Sequence, residues 1–175
     1  GVRNASATNH RMVGHNYATD GLNWPGKPAN DNTYFEGFET DYGFVETMGM
    51  HIKEGRSFSK SFGADSSAMI LNEAAVHAMH LKDPVGKTVV YARKHMQVIG
   101  VVKDFHFESM HSEIKPSFLM LVPNCGTIVA SINSNNQQAT ITAIRHLYES
   151  FNPGFPFTFN FLDEAYQKQY ESETR

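Results

Sequence analysis

Histidines are the residues of this chain best suited to chemistry, because nine occur among its 175 residues. His77 and His80 are three positions apart on a predicted helix, and His106 and His111 follow a predicted strand. Two neutral imidazoles at that helical spacing can share a metal ion. A zinc site, however, needs three or four ligands with supporting partners, and the sequence has no HExxH motif and no pair of cysteines. We therefore predict neither a metal ion nor another cofactor.

Motifs for nucleophilic catalysis and for phosphate binding are absent from the sequence. No GxSxG elbow surrounds Ser66, Ser67 or Ser109, and neither GxxxxGK[ST] nor GxGxxG occurs. Residues 86–88 read GKT, which matches only the end of a phosphate loop and precedes a strand rather than a helix. The only cysteine, Cys125, can form no internal disulfide and lacks the electropositive surroundings of a reactive thiol. We predict that the protein is not an enzyme and has no catalytic residue.

Aromatic residues supply the candidate contact sites. Trp24, the only tryptophan, lies in the turn-rich segment GLNWPGKP, where its indole suits either an anchor for the turn or a contact with a carbohydrate or peptide. The run Asp104-Phe105-His106-Phe107 alternates aromatic and polar residues after a strand, as a hinge or an exposed contact does. The candidate partner or ligand contacts are therefore Trp24, Phe105, His106 and Phe107.

Charge and hydropathy exclude several classes of partner. The formal net charge of -3, with 15 Lys and Arg against 18 Asp and Glu, provides no electrostatic basis for binding nucleic acid. No stretch approaches the roughly 18 apolar residues of a membrane-spanning helix. The length suits one hydrophobic core, or two small lobes that share one.

The middle of the chain, residues 44–116, predicts a small mixed sheet with two short helices. Tyr42, Val45 and Met48 recur every third position, which predicts a short helix with Asp41 as its N-cap. A strand is expected within residues 50–58.

A second strand and helix follow directly on each other. Residues 69–71 form an apolar strand that ends at Asn72, whose side chain can cap the helix beginning at Glu73. Asp83-Pro84 should end this helix, because the residue before a proline is disfavoured in helical geometry. Strands are then predicted at residues 87–91 and 96–102, the latter with a bulge at Gly100.

Outside this block, hydrophobic periodicity predicts one long helix and four strands. Apolar residues at helical spacing predict a helix over residues 138–151. The strands are expected at residues 10–17, 33–40, 127–132 and 157–161. The last strand, helix and strand in this series predict a right-handed crossover with parallel strands.

Taken together, these pieces resemble a known family. The order MGM, EGRSFS, ILNEAAV, DPVGKTV and VIGVVKDFHF, followed by SMH and a proline at 116, is similar to the MacB-like periplasmic core domain. That domain occurs in ABC-transporter permeases of the MacB and FtsX type, in the variety common in Bacteroidetes. The opening VRNASAT resembles its first strand region, and the closing FNFLDEAYQKQYESE resembles its exit helix.

The resemblance implies an α+β fold with two lobes. Residues 1–40 and 124–175 would form a Porter-like lobe of strand–helix–strand units, and residues 41–123 an inserted Sabre-like mixed α/β lobe. The chain opens in a polar strand-like segment rather than with Met, and it stops within a polar helical run. We therefore expect a truncated N-terminal unit and a soluble domain excised from a membrane protein.

The implied function is mechanical rather than catalytic. A periplasmic domain on the outer side of the bacterial inner membrane would relay ATP-driven motion to a partner, by mechanotransmission, during efflux or during lipoprotein or peptide export. The implied partners are the transmembrane helices of the same permease, an ABC ATPase domain or subunit, and a periplasmic adaptor or exported substrate. The isolated domain is expected to be a monomer, and the parent protein a homodimer. Glycine and proline near Gly37, Pro123 and Gly126 are candidate hinges.

Two alternatives from other classes stay open. One is a stand-alone periplasmic ligand-binding module that uses Trp24 and the aromatic residues. The other is a histidine-dependent metalloenzyme, for which a stoichiometric, tightly bound zinc ion would be decisive.

Overall fold

The computed structural model describes residues 1–10, 12, 17–105 and 114–165 of the chain. Within these residues nine strands form one sheet. The strands are β1 Val2–Thr8, β2 Ala18–Thr19, β3 Phe35–Thr40, β4 Ile52–Gly55, β5 Ala68–Asn72, β6 Thr88–Tyr91, β7 Lys94–Val102, β8 Ser117–Leu121 and β9 Thr127–Ile132. The helices are α1 Phe44–Thr47, α2 Glu73–Ala78 and α3 Gln137–Phe151, with short 3-10 turns at Asp65–Ser67 and Ser134–Asn136.

The sheet is mixed, as the α+β prediction requires. Its order is β4-β7-β5-β8-β3-β1-β9, with β2 added to β3 and β6 added to β7. The pairs β3–β8 and β5–β7 are parallel, and the remaining pairs are antiparallel. The β3–β8 ladder joins the segments assigned to the two lobes into one sheet, while the division into lobes itself stays a prediction.

Both faces of the sheet are covered by apolar side chains, because alternate residues of a strand point to opposite faces. On β3, Phe38 belongs to a cluster on one face with Ile70 and Leu119. Phe35 belongs to the cluster on the other face, which includes Trp24 and Phe118. The central strand β5 is buried at all of its positions, so it forms the middle of the core.

Several local predictions are confirmed. The Asn72 side chain accepts a hydrogen bond from the Ala75 N–H and so caps α2. The β5–β7 register shifts between Val98 and Gly100, which places the predicted bulge there. A Cβ atom on Gly100 would clash with the carbonyl oxygen of Arg56, so the close approach of these two backbones requires glycine. The strand at residues 127–132 and the long helix also form where the periodicity predicts them.

Two helix boundaries differ from the prediction. Asp41 is not the N-cap of α1: its side chain accepts the N–H of Tyr42, and the cap is Gly43 at φ 74 with no side-chain cap bond. Helix α2 stops at Ala78 rather than at Asp83-Pro84. His80, at φ 50, leaves helical geometry first, so the proline is not needed to end the helix.

The strand predicted at residues 10–17 is displaced. Residues 11 and 13–16 lie outside the described part of the chain, and His10 and Tyr17 are not in a strand. The strands lie on either side of this segment, as β1 and β2. The small polar residues of β1 have weak strand propensity by themselves, and pairing with β9 over most of the strand's length holds them extended.

The strand predicted at residues 157–161 is wrong, and so is the parallel crossover built on it. No described ladder includes these residues. Strand β9, which was expected to lie parallel to them, pairs with β1 on one side and has no described neighbour on the other. Their phenylalanine rings instead pack on one another, with centroids of Phe157 and Phe159 5.7 Å apart. Residues 162–165 then form one helical turn, and 166–175, which include most of the predicted exit helix, lie outside the described residues.

Candidate functional site

Trp24 is buried, with 4% of its surface exposed. Its ring meets Phe35 edge to face at a centroid distance of 5.5 Å, and the Lys27 ammonium lies 4.7 Å from the indole centroid. Lys27 also donates a hydrogen bond to the Leu22 carbonyl at 2.7 Å. These contacts favour the anchoring role of Trp24 over a role in ligand contact.

Phe105 is partly buried rather than free at the surface. Its ring packs edge to face on Phe38 at a centroid distance of 5.9 Å. The preceding residue, Asp104, accepts a hydrogen bond from the Ala74 N–H at 2.8 Å. His106 and Phe107 lie outside the described residues, so the contact role of this segment stays a prediction.

A set of polar side chains at the start of α2, here called the α2 clamp, consists of Asn72, Glu73 and Asp104. Asn72 Oδ1 accepts the N–H groups of Ala75 and Ser117, and its Nδ2 donates to the Lys115 carbonyl at 2.9 Å. Glu73 accepts the N–H of Asp104 at 3.2 Å. The α2 clamp therefore fixes both ends of the segment between β7 and β8 at the N-terminus of one helix.

Those histidines named from the sequence that lie within the described residues do not form a metal site. The rings of His77 and His80 are 6.1 Å apart between centroids, and no third metal-binding side chain joins them among the described residues. His111 and Ser109 fall outside those residues, as His106 does. Burial raises the pKa of the Cys125 thiol, which donates a weak hydrogen bond to the Val122 carbonyl, so this cysteine is protonated at neutral pH.

The structure places a cleft of about 350 Å³ on the side of β3 where the Phe35 cluster ends. We call it the β3 cleft. Its lining comes from three strands and from the chain on either side of residues 11–16. The lining residues are Asn9, His10, Tyr17, Gly37, Glu39, Tyr91 and Met120.

Gly37 makes room for the floor of the β3 cleft. It pairs with Phe118 across the parallel β3–β8 ladder, and a Cβ atom there would lie 2.7 Å from Phe118 Cζ. The Phe118 ring therefore lies across Gly37, and Tyr91 packs on Phe118 edge to face at 5.3 Å. Gly37 is thus a paired strand residue, a position less suited to a hinge than a loop, and the hinge role stays a prediction.

The His10 side chain accepts a backbone hydrogen bond at the edge of β3. Its Nδ1 accepts the N–H of Glu39 at 2.9 Å, which leaves the proton of the neutral ring on Nε2. Burial lowers the pKa of His10, although the nearby Glu39 carboxylate acts in the opposite direction. The imidazole is therefore neutral at neutral pH.

The Glu39 carboxylate is half-buried and has one polar protein contact among the described residues. Asn9 Nδ2 donates to Glu39 Oε2 at 2.8 Å, while Asn9 Oδ1 accepts the N–H of Gly126 at 2.8 Å. None of the ion pairs in the described part of the chain includes Glu39. The β3 cleft thus contains a positioned carboxylate that has no cationic partner within the described part of the chain.

Two tyrosine hydroxyls complete the lining of the β3 cleft. Tyr91 donates a long hydrogen bond of 3.4 Å to Tyr17. Burial raises the pKa of Tyr91 to about 12, with further contributions from this hydrogen bond and from the charge of Glu39. The same hydrogen bond is the main cause of a lowered pKa at Tyr17.

None of the described lining residues is among the candidate contact residues Trp24, Phe105, His106 and Phe107, and Gly37 is predicted only as a hinge. They come from three strands and from the chain around residues 9–10 and 17, and these segments lie far apart in the sequence. The one available signal was an isolated glycine within the predicted strand at 33–40, since such a glycine often marks a close approach of another group.

Comparisons with known proteins agree on one family. The model of the family described as "MacB-like periplasmic core domain" matches residues 3–154. No curated protein sequence matches the chain at a significant level. Among the described residues, no helix has both the length and the apolarity needed to cross a bilayer.

Solved structures with similar folds come from bacterial transporters. The periplasmic region of MacB from Actinobacillus actinomycetemcomitans is 16% identical with a TM-score of 0.64, over 95% of this chain and 75% of that one. The extracellular domain of the noncanonical ABC-type transporter YknZ from Gram-positive bacteria is 14% identical with a TM-score of 0.61, over 87% and 77%. A domain of a putative permease protein from Porphyromonas gingivalis is 15% identical with a TM-score of 0.62, over 90% and 78%. At these identities the structures show a shared fold.

Proposed function

Because the chain belongs to the family of MacB-like periplasmic core domains, we propose that it relays ATP-driven motion of an ABC-transporter permease to a periplasmic partner or substrate. The family makes it a periplasmic domain of a MacB-like permease. We further propose that the domain works by this relay mechanism and has no catalytic role of its own.

The continuous sheet is the observation that carries the relay proposal. Five consecutive residue pairs join β3 to β8 in the parallel ladder that connects the two predicted lobes. Apolar clusters cover the sheet on both faces. Bending such a sheet would break backbone hydrogen bonds and open the core, so a force applied at one end moves it as a body.

The proposed partners follow from the permease context. They are the transmembrane helices of the same permease, an ABC ATPase domain or subunit, and a periplasmic adaptor or an exported lipoprotein, peptide or small compound. The parent protein would work as a homodimer, in which each ATPase cycle moves the two periplasmic domains relative to each other.

Spin labels in the full-length permease, reconstituted with its ATPase, can test the relay. One label pair would join Val85, in the turn before β6, to Ile128 on β9; these side chains are 40% and 74% exposed. Cys125 would first be replaced by serine. We expect that double electron–electron resonance finds the same Val85–Ile128 distance with and without ATP, whereas the Ile128–Ile128 distance between protomers changes.

A permease whose ATPase cannot bind nucleotide is the matched control, and ATP should alter neither of the two distances in it. A shift of the Val85–Ile128 distance on ATP binding would contradict a rigid relay, because the sheet would then be deforming. An unchanged Ile128–Ile128 distance throughout the cycle would contradict the relay altogether.

A further inference from the structure

Glu39 has no ion pair in the described part of the chain, whereas several other carboxylates do. On the same strand, Glu36 pairs with the Lys115 ammonium at 3.3 Å, and on the loop before β5, Asp65 binds Arg56 at 2.7 Å. Glu39 lies on the opposite face of β3 from Glu36, since the two are three positions apart. In the described part of the chain, the one donor to the Glu39 carboxylate is the neutral side-chain amide of Asn9.

The remaining groups of the β3 cleft also suit a positive charge. Tyr17 and Tyr91 supply phenol rings and hydroxyl oxygens, both of which attract organic cations. His10 is neutral, because burial lowers its pKa and its Nδ1 is occupied by the Glu39 N–H. Among the described residues that line the cleft there is no lysine or arginine.

Two further carboxylates add to the negative potential near the β3 cleft. The charge of Asp20 acts on Tyr17, and the charge of Asp41 acts with that of Glu39 on Cys125. Like charges around a small cleft raise the local concentration of ligands of the opposite sign and repel those of the same sign. These described carboxylates therefore favour a cation over an anion at the cleft.

The size of the β3 cleft limits the ligand. A volume of about 350 Å³ is near the lower end for small-molecule sites, and it accommodates one side chain of the size of arginine or lysine. A planar guanidinium can donate to both oxygens of a carboxylate and stack on an aromatic face at the same time.

We propose that the β3 cleft is a binding site for a guanidinium or ammonium group, held by the Glu39 carboxylate beside Tyr17 and Tyr91. The cation belongs either to a free small molecule or to a side chain of a polypeptide. Binding here does not depend on the relay of motion proposed above, so the two ideas can fail separately.

Titration of the ¹⁵N-labelled chain with Nα-acetyl-L-arginine amide, followed by NMR, tests the site. We expect saturable shifts of the Gly37, Glu39 and Tyr91 amides. A capped Ala-Arg-Ala peptide separates the sources: tighter binding of the peptide indicates a polypeptide ligand, and equal binding indicates a free small cation. Nα-acetyl-L-citrulline amide, which has the same shape without the charge, should cause no saturable shift.

Glu39→Gln keeps an oxygen that can accept from Asn9 and removes the charge, so it should weaken binding by roughly tenfold or more. The control is Glu36→Gln, which removes a carboxylate from the other face of the same strand and should leave affinity unchanged. If Glu39→Gln does not fold, Tyr17→Leu is the second variant, since Tyr17 is 56% exposed, and we expect several-fold weaker binding. Equal shifts with citrulline, shifts confined to another surface, or full affinity in the folded Glu39→Gln protein would each overturn the proposal.

Discussion

His10 replaces a strand neighbour along part of β3. Strand β1 reaches β3 at the Thr8–Thr40 pair, and β2 pairs with it at Phe35 and Glu36. Between these pairings the Glu39 N–H donates to the His10 imidazole instead of to a strand carbonyl. A backbone donor at the cleft thus depends on the protonation state of one side chain.

This arrangement predicts that acid weakens the fold through His10. The pKa of His10 in the folded protein lies below the ordinary value of about 6.5. As the pH falls below 6.5, His10 therefore binds a proton in the unfolded chain before it does so in the folded one. Above pH 6.5 the group has no effect, and below the folded pKa the loss is complete. We expect the free energy of unfolding to fall with a slope below about 1.4 kcal/mol per pH unit, the ceiling for one proton.

Urea unfolding of the wild type and of His10→Asn, between about pH 7.5 and 5.5, measures this contribution. Asparagine can present an oxygen to the Glu39 N–H but does not titrate, so the variant should lose part of the slope. The other histidines are unchanged and account for the slope that remains. The same pH dependence in both proteins would show that His10 is not the titrating group.

At the scale of elements, the α2 clamp connects a helix, two strands and the segment between them. Asn72 is completely buried, and its amide satisfies backbone groups at Ala75, Lys115 and Ser117. Helix α3 has the opposite design: its N-cap, Asn136, makes no side-chain cap bond, and the helix buries only Thr140 and Ile141. The two asparagines at helix starts should therefore contribute very differently to the free energy of unfolding.

Asn72→Ala should lower the free energy of unfolding by about 3 kcal/mol, because it removes a cap and leaves buried backbone groups unpaired. Asn136→Ala is the matched control and should change it by less than about 0.5 kcal/mol, as at an ordinary exposed site. Chemical denaturation followed by circular dichroism gives both values. Equal losses in the two variants would mean that the α2 clamp contributes no more than an exposed cap.

At the scale of the whole molecule, stability is unevenly distributed. The strands β5, β7 and β8 form the centre of the sheet, with most of their apolar side chains inaccessible to solvent. Past β9 the chain exposes large apolar side chains, with Phe151 at 78% and Phe155 at 68%. The α3 helix and the aromatic segment that follows it have little contact with the core that the structure describes.

Native-state hydrogen exchange should reveal this difference. Amides of α3 should exchange through local opening at a free energy well below that of global unfolding, whereas those of β5 and β7 should exchange only with global unfolding. Mass spectrometry of peptides from the two regions, at increasing denaturant, separates the two regimes. Protection of α3 equal to that of β5 would contradict the uneven distribution.

Local patterns in the sequence were sufficient for the elements whose causes are local. The apolar spacing of residues 138–151, the run at 127–132 and the capping asparagine at 72 act through hydrogen bonds and contacts a few positions away, so they could be recognised without a structure. The family resemblance likewise rests on the order of such pieces, and it led to the permease assignment.

Tertiary structure decided what depends on distant neighbours. Residues 157–161 have a strand pattern, but no described strand lies beside them, and their rings pack on one another instead. Gly37 resembles a hinge in sequence, and only the fold makes it a lining residue of a cleft, paired with Phe118 in a parallel ladder. Tyr17, Glu39 and Tyr91 become neighbours through the pairing of β2 with β3 and the bridge between Asn23 and Val90. Such pairings are set by long-range packing and not by spacing along the chain.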